Sequence, residues 1–496
     1  MRGRILPALG VLAACSAAPA PRATPPPPLP ARAADPALAW RYDVTAGAGA
    51  RELAVEAVIG APDGAELGVE GFERFVSGVE LSAGGPFAPL AAGRDAAGEA
   101  VFRLPPCPPS GCRLRYRFAL AEAARRVGEL HCALEANGAF VTSPSAWLMH
   151  PAECHGALPF ELRVTTPPGV AFVSGLLPAA GEAAGLPPAV YAADVSDLPN
   201  PAWAAVGAMR LLRVDVEGEA LDVAVLPGPL DLGDDGLRAW IGDAARAVRD
   251  HYGMTPIRRV QLVILPGSGR GIGYARALGN GGATIVVPLG EHTAAAELTG
   301  GWELIHELLH VAFPKLQRDH AWLEEGMATY VEPLIRARRG DLPVDEVFAR
   351  LHQRLPLGLP VRGDGGLDGT RSWGRTYWGG ALFCLLADVA IRERTRGQRS
   401  LDDALRAVLA QGGNIAERWD LEQVIQVGDE ATGVPVLREL HAKLGSAPVD
   451  VDLDALWRRL GVVAKGQGVT FDDRAELAWL RRAMVAPRTS LANRAR

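Results

Sequence analysis

His306 and His310 stand four residues apart in the run Trp302-Glu303-Leu304-Ile305-His306-Glu307-Leu308-Leu309-His310. On a helix that interval puts both imidazoles on one face, where a single divalent ion can bridge them, with Glu307 beside the pair. The chemistry such a trio supports is metal-assisted hydrolysis, in which the ion activates a water and the carboxylate moves its proton. Two ligands hold zinc poorly, and a catalytic zinc takes three protein ligands and keeps one position for water. The acidic residue best placed to supply the third is Glu325, in Trp322-Leu323-Glu324-Glu325-Gly326-Met327-Ala328-Thr329-Tyr330. That stretch reads as a second helix after a polar connection.

With ten His in 496 residues, a chance H-E-x-x-H arises in roughly one unrelated chain per hundred. An amphipathic helix with merely packed or solvated histidines leaves the downstream Glu, in its aromatic and Gly-containing setting, unexplained. Glu307 sits in an otherwise apolar turn with Leu308, Leu309 and Val311, where an unpaired carboxylate is costly. Work on an activated water removes that cost. Thr329, one turn beyond Glu325, and Glu332 are candidates for orienting the ligands, although residues of these types more often face solvent from a helix.

These side chains must be positioned by a large scaffold. The chain exceeds what one core usually supports, so about two or three domains are expected. An apolar share of 48% is ample for burial. The net charge of −6, with no Lys- or Arg-rich run, excludes nucleic-acid binding as the main activity. From about Leu38 to Leu226, short alternating runs such as Leu53–Ile59, Arg113–Leu120, Phe160–Thr165 and Leu221–Val225 predict an all-β, sandwich-like domain over 38–228. Helical spacing follows over Asp234–His251, then a strand over Val260–Leu265 and an edge-like strand over Ala283–Val287, in a catalytic domain over 229–340. The Gly-rich stretch Gly267–Gly273 does not fit a nucleotide-binding spacing and is read as a flexible flap. A helical domain is expected over 341–465 and a short polar tail over 466–496.

The N-terminus has the pattern of an export signal: Arg2 and Arg4, an apolar stretch Ile5–Ala14, then Cys15. Leu12-Ala13-Ala14-Cys15 resembles the lipobox of bacterial lipoproteins, which implies cleavage before Cys15 and lipid on its sulfur. A plain signal cleaved after Ala18 or Ala20 is the alternative. Residues 16–37, with Pro25–Pro28, read as an extended tether. The expected location is therefore outside the cytoplasm, anchored to a cell-envelope membrane, the outer membrane being one candidate. Export permits disulfides. Cys107 and Cys112 flank a tight Pro-Pro-Ser-Gly loop, Cys132 and Cys154 form the natural second pair, and Cys384 reads as a buried small hydrophobe. A metal role for Cys154 with His150 and His155 matches no familiar zinc spacing.

Together the two motifs resemble the ligand helices of the gluzincin metallopeptidases, and in particular the glycyl aminopeptidase family, a relative of aminopeptidase N. The resemblance places Glu325, and not Glu324, at the ligand position. Thr376-Tyr377-Trp378-Gly379-Gly380-Ala381-Leu382-Phe383, running on to Asp388 and Ile391-Arg392, is similar to that family's Tyr-x-Lys-Gly-Ala-Leu helix, which gives Tyr377 the role of oxyanion stabiliser. The weaker landmarks Ala136–Phe140, Asp194–Pro199 and Gly397–Leu409 extend the likeness over about 38–463. It implies an N-terminal β-domain, a thermolysin-like α+β catalytic domain and an α-helical C-terminal domain, with Zn2+ as cofactor and a peptide or protein as substrate. Four departures stand out. The interval from His310 to Glu325 is short for the family. Gly281-Gly282-Ala283-Thr284-Ile285 stands where the family carries Gly-Gly-Leu-Glu-His on the cleft strand, so the Glu that holds a substrate amine is missing. Gly379 replaces the Lys, and the family's PDZ domain has no room after Val463. The function expected is zinc-dependent peptide hydrolysis, aminopeptidase-like. The alternative is a surface-anchored binding lipoprotein with little turnover.

Overall fold

The structure, a computed structural model, describes residues 40–487 apart from 61–63, 97, 128–132, 153, 155–157, 181–185 and 218. Cys15, the tether, Cys132 and His155 lie outside the described residues. Among the described residues no helix is long and apolar enough to cross a membrane.

Period-two alternation builds the first layer. In Cys112–Phe118 every second residue is buried, while Arg113, Arg115 and Arg117 face outward and pair with Glu56, Glu80 and Glu52 on neighbouring strands. That strand belongs to an eight-stranded sheet in which Trp40–Ala46 pairs antiparallel with Leu53–Ile59 and parallel with Pro159–Thr165. A four-stranded sheet packs on it, in the order Ala171–Ser174, Ala204–Gly207, Ala139–Thr142, Ala133–Ala136. Its alternation is apolar on both faces. Phe140, Phe172, Ala204 and Val206 meet the eight-stranded sheet, and Val141, Val173 and Ala205 meet a third sheet behind it. A sheet covered on both sides needs continuous apolar runs, as these are.

The third sheet orders its strands Arg210–Val216, Glu219–Val225, Arg259–Gly267, Thr284–Gly290, Arg276–Leu278, with the middle three parallel and antiparallel partners at both edges. The boundary expected at 228 therefore moves back: residues 210–225 pair through Glu219–Val225 with Arg259–Gly267 and belong to the third sheet. The strand expected at the edge, near Ala283–Val287, is internal, and Arg276–Leu278 is the edge. Buried Arg259 ties the layers together. Its Nε donates to Asp222 Oδ2 at 2.8 Å, and its Nη1 donates to the carbonyls of Ser174 and Leu176 at 2.8 and 3.0 Å.

Beyond this sheet one continuous core runs from Leu212 to Val485, so no core boundary separates the catalytic part from the helical part at 340. Residues 466–487 are folded and are not the polar tail expected: Gly468–Phe471 pairs with Val462–Lys465, and the helix Ala478–Val485 buries Leu480, Met484 and Val485 in the same core. The spacing of Leu477, Leu480 and Met484, three to four residues apart, is helical.

Two helices of this core carry site residues, Ala321–Arg339 and Gly380–Arg394. They cross at glycines. A Cβ on Gly326 would lie 2.2 Å from Gly380 C, and one on Gly380 would lie 1.9 Å from Trp322 O. Backbone cannot yield as a flexible side chain does. Gly326→Ala and Gly380→Ala are each expected to cost about 2 kcal/mol or more through overpacking and to lower the melting temperature measured by circular dichroism. A melting curve like the parent's for both would show that the helices do not touch there.

Candidate metal centre

The helix Glu303–Val311 buries Leu304, Ile305, Leu308, Leu309 and Val311 and leaves one face toward a cavity. Glu303 complements its N-terminus, and Pro314 follows its end. On the cavity face His306 Nε2 and His310 Nε2 lie 3.2 Å apart. From the next helix, Glu325 Oε2 comes within 3.5 Å of His306 Nε2 and 3.4 Å of His310 Nε2. A tetrahedral ion with bonds of about 2.0–2.1 Å keeps its ligand atoms about 3.3 Å apart. The donor set, two imidazoles and a carboxylate, and its spacing both fit zinc.

Successive helical residues diverge by about 100°, so Glu324 cannot share this position with Glu325. Its carboxylate pairs with Lys315 and accepts Leu316 N–H at 2.9 Å, which fixes the connection between the two helices. Burial would raise the Glu325 carboxyl, but the two histidines together hold it well below the ordinary range. Burial likewise pushes His310 down, and the charge and hydrogen bond of Glu325, with Glu307, outweigh it and hold His310 up at about 8. Glu307 is buried, and that burial raises its carboxyl above the ordinary range even though His310, His306 and the N–H of Ala277 favour its anion.

Ala277 is on the edge strand. The cavity, of about 760 Å³, is lined by Ile272 to Leu278, the metal-helix face, Thr329, Arg350, Trp373, Tyr377 and Trp378. Gly281–Ile285 is not among its lining, so the cleft strand is Arg276–Leu278. Gly281 and Gly282 have a different reason to be glycine: φ is +64° and +158°, and a Cβ on Gly282 would lie 1.9 Å from Gly175 O. They let this sheet approach the sandwich. No carboxylate stands on Arg276–Leu278, so a cleft-strand acid is absent at the corrected position as well.

Tyr377 lies on a π-helical stretch, Gly374–Gly379, that opens into the helix Gly380–Arg394. Its ring stacks on Trp373 with centroids 5.9 Å apart, and its hydroxyl is 3.5 Å from that of Tyr274. Burial, then Glu325 and Tyr274, push its pKa far above the ordinary value, so the hydroxyl keeps its proton as a donor. Thr329 is buried against the cavity. Glu332 is buried and pairs with Arg336 at 3.1 Å and Arg350 at 3.5 Å. Trp302, edge-on to His306 with centroids 5.8 Å apart, and Arg350, over the Trp302 ring at 5.6 Å, complete the wall. Sequence reasoning missed Tyr274, Arg276, Trp302 and Arg350. Three of them are aromatic or cationic residues next to site motifs, and Arg350 comes from a separate helix with no local signal.

The Gly-rich loop expected as a flap is tied down. Gly271 N–H donates to Thr293 Oγ1 at 2.9 Å, Gly273 N–H to Pro288 O at 2.9 Å, and Arg270 pairs with Glu297 at 2.9 Å. Cys107 and Cys112 are disulfide-bonded. Cys154 is a free thiol packed against the sandwich core, so the second pair expected is not made there, and Cys132 lies outside the described residues. Cys384 is buried, with burial raising its thiol. His150 is buried with Nδ1 on Leu148 O at 2.7 Å, and among the described residues it belongs to no group that could hold a metal. A second group, His320, Asp368 and His441, braces the start of the Glu325 helix: Asp368 accepts Trp322 Nε1–H at 2.9 Å and pairs with His441 at 2.8 Å.

No protein-family profile and no curated protein matches the sequence. Solved structures do. An aminopeptidase N family protein from Idiomarina loihiensis superposes with a TM-score of 0.63 at 14% identity, over 85% of this chain and 78% of that one. The M1 zinc metallopeptidase from Deinococcus radiodurans gives 0.50 at 16%, over 84% and 94%. A variant of that enzyme bound to a Tyr-Ser-Ala substrate gives 0.52 at 16%, over 84% and 94%. The fold is that of the M1 zinc metallopeptidases.

Two outcomes test the centre. Glu325→Gln is expected to lower zinc affinity by about tenfold or more, while Glu324→Gln keeps the metal and loses thermal stability. Metal content by mass spectrometry and a melting curve separate them. Ligation requires a neutral imidazole, so zinc affinity should fall by up to about tenfold per pH unit below the His310 value of about 8. The metal-free protein has the opposite dependence: the His310–Glu325 ion pair stabilises it below the ordinary imidazole range and is lost as pH rises through about 8. Chelator competition between about pH 6 and 8 reads the first effect, and a flat profile would remove His310 from the ligand set.

Proposed function

We propose that the chain is a zinc-dependent peptide hydrolase, aminopeptidase-like in build, with His306, His310 and Glu325 as metal ligands. The observation that carries this is the convergence of three donor atoms within 3.5 Å of one another beside a buried Glu307. We further propose that it works outside the cytoplasm, held to a membrane by lipid on Cys15.

Zinc, when bound, supplies a Lewis acid and draws the pKa of a water toward about 7. Glu307 accepts the proton of the attacking water and delivers it to the leaving amine. Its raised proton affinity suits both halves of that task, and Ala277 N–H keeps the carboxyl oriented. As the substrate carbonyl becomes tetrahedral, the Tyr377 hydroxyl donates to its oxygen, a charge that grows only in the transition state. The edge strand Arg276–Leu278 offers main-chain pairing to an extended peptide. Trp302, Trp373 and Tyr274 give the mouth apolar walls that exclude water from the reacting bond.

Glu307→Gln should keep its zinc and lose about 10²–10⁴-fold in kcat on a mixed peptide library. Tyr377→Phe should lose about 10²-fold in kcat with little change in KM. If the parent and Glu307→Gln cleave at the same background rate, the binding-lipoprotein reading takes the place of hydrolysis.

A further inference from the structure

Outside the metal site, the cavity wall holds more positive charge than its carboxylates neutralise. Lys315 is matched by Glu324. Glu332 is shared between Arg336 and Arg350, which leaves that trio one positive charge in excess. Glu303 is the remaining wall carboxylate outside the metal site. Arg276 has no ion-pair partner among the described residues, and its Nε is buried without a hydrogen-bond acceptor. A buried donor left unpaired carries a desolvation cost that an incoming acceptor relieves.

Arg276 is also placed. Its guanidinium lies over the Tyr274 ring, 4.9 Å from the centroid, and the Tyr274 hydroxyl is 3.5 Å from that of Tyr377. The next residue, Ala277, gives its N–H to Glu307. A planar fork with an unpaired Nε donor, one residue from the strand's contact with Glu307, matches a carboxylate or similar planar anion.

Building on the hydrolase reading above, we propose that Arg276 is a specificity residue that recognises a carboxylate on the peptide close to the scissile bond, either an Asp or Glu side chain or the free C-terminus of a short substrate. A carboxylate there takes the unpaired donor of Arg276, and the excess charge around Arg350 supports the same sign of ligand. The cavity so built reads an anion on the strand where the resembling family reads an amine.

One peptide scaffold, with Glu, Gln or Lys beside the cut and with a free or amidated C-terminus, tests this. Zinc-loaded parent is expected to show a kcat/KM about tenfold higher for carboxylate-bearing peptides than for their amide isosteres, a preference that weakens with salt. The Glu/Gln arm reports the side chain and the acid/amide arm reports the C-terminus. In Arg276→Gln the ratio should fall to near one, and Arg276→Lys, which keeps the charge without the fork, should retain part of it. The same peptides are titrated calorimetrically into zinc-loaded Glu307→Gln protein, so binding selectivity is read without turnover. Selective binding with no cleavage by the parent would sink the hydrolase reading and keep the anion site. Equal binding of acid and amide peptides, or a preference that survives Arg276→Gln, would overturn the inference whatever the catalytic rate.

Discussion

Two imidazole nitrogens 3.2 Å apart, each within 3.5 Å of one carboxylate oxygen, make an arrangement a protein cannot satisfy with its own protons. A neutral imidazole has one donor and one acceptor nitrogen, and the facing Nε2 atoms compete for the same space. A divalent cation at their centre meets all three lone pairs at once. A proton on His310 meets them only in part, by making an ion pair with Glu325. The site is held open by what surrounds it: the backbone crossing at Gly326 and Gly380, Glu324 clamping the connection at Lys315 and Leu316, and Asp368 with His441 bracing Trp322.

That rigidity is drawn from the layers behind. The four-stranded sheet has no solvated face and works as a shared wall between the sandwich and the catalytic sheet. Arg259 and Asp222 are buried at this junction, and Arg259 also satisfies the carbonyls of Ser174 and Leu176. Breaking one partner of such a pair leaves a buried charge, so the junction has one good arrangement. Gly175 and Gly282 then set how close the layers come. The edge strand beside Glu307 inherits its position from this stack through its pairing with Thr284–Gly290.

Local pattern in the sequence carried the elements with clear periodicity. Leu53–Ile59 and the helix from Asp234 are where the alternation and the helical spacing put them, and the H-E-x-x-H helix with its downstream Glu identified the residues that converge. What local pattern could not carry was partnership. Residues 210–225 look like any other β-hairpin, and only a parallel pairing with residues more than thirty positions away assigns them to the catalytic sheet. Gly281-Gly282 resembled a cleft strand because its glycines are required, but the requirement is close approach to Gly175. Arg276, the residue beside the real cleft contact, lies in a short strand with no periodicity to mark it. The folded end of the chain was missed for a related reason: Leu480 and Met484 bury their side chains in a helix of only eight residues, interrupted by Arg481 and Arg482, too short for a clear period.

The edge strand makes a contact at the site that asks little of its side chains. Ala277 reaches Glu307 through its main-chain N–H, a group every residue but proline possesses, so the catalytic contact places almost no demand on side-chain identity. Neighbouring side chains on a strand point to opposite faces, so position 276 can be exchanged without disturbing the backbone contact at 277. The strand therefore offers the cavity two independent chemistries, one of backbone and one of side chain.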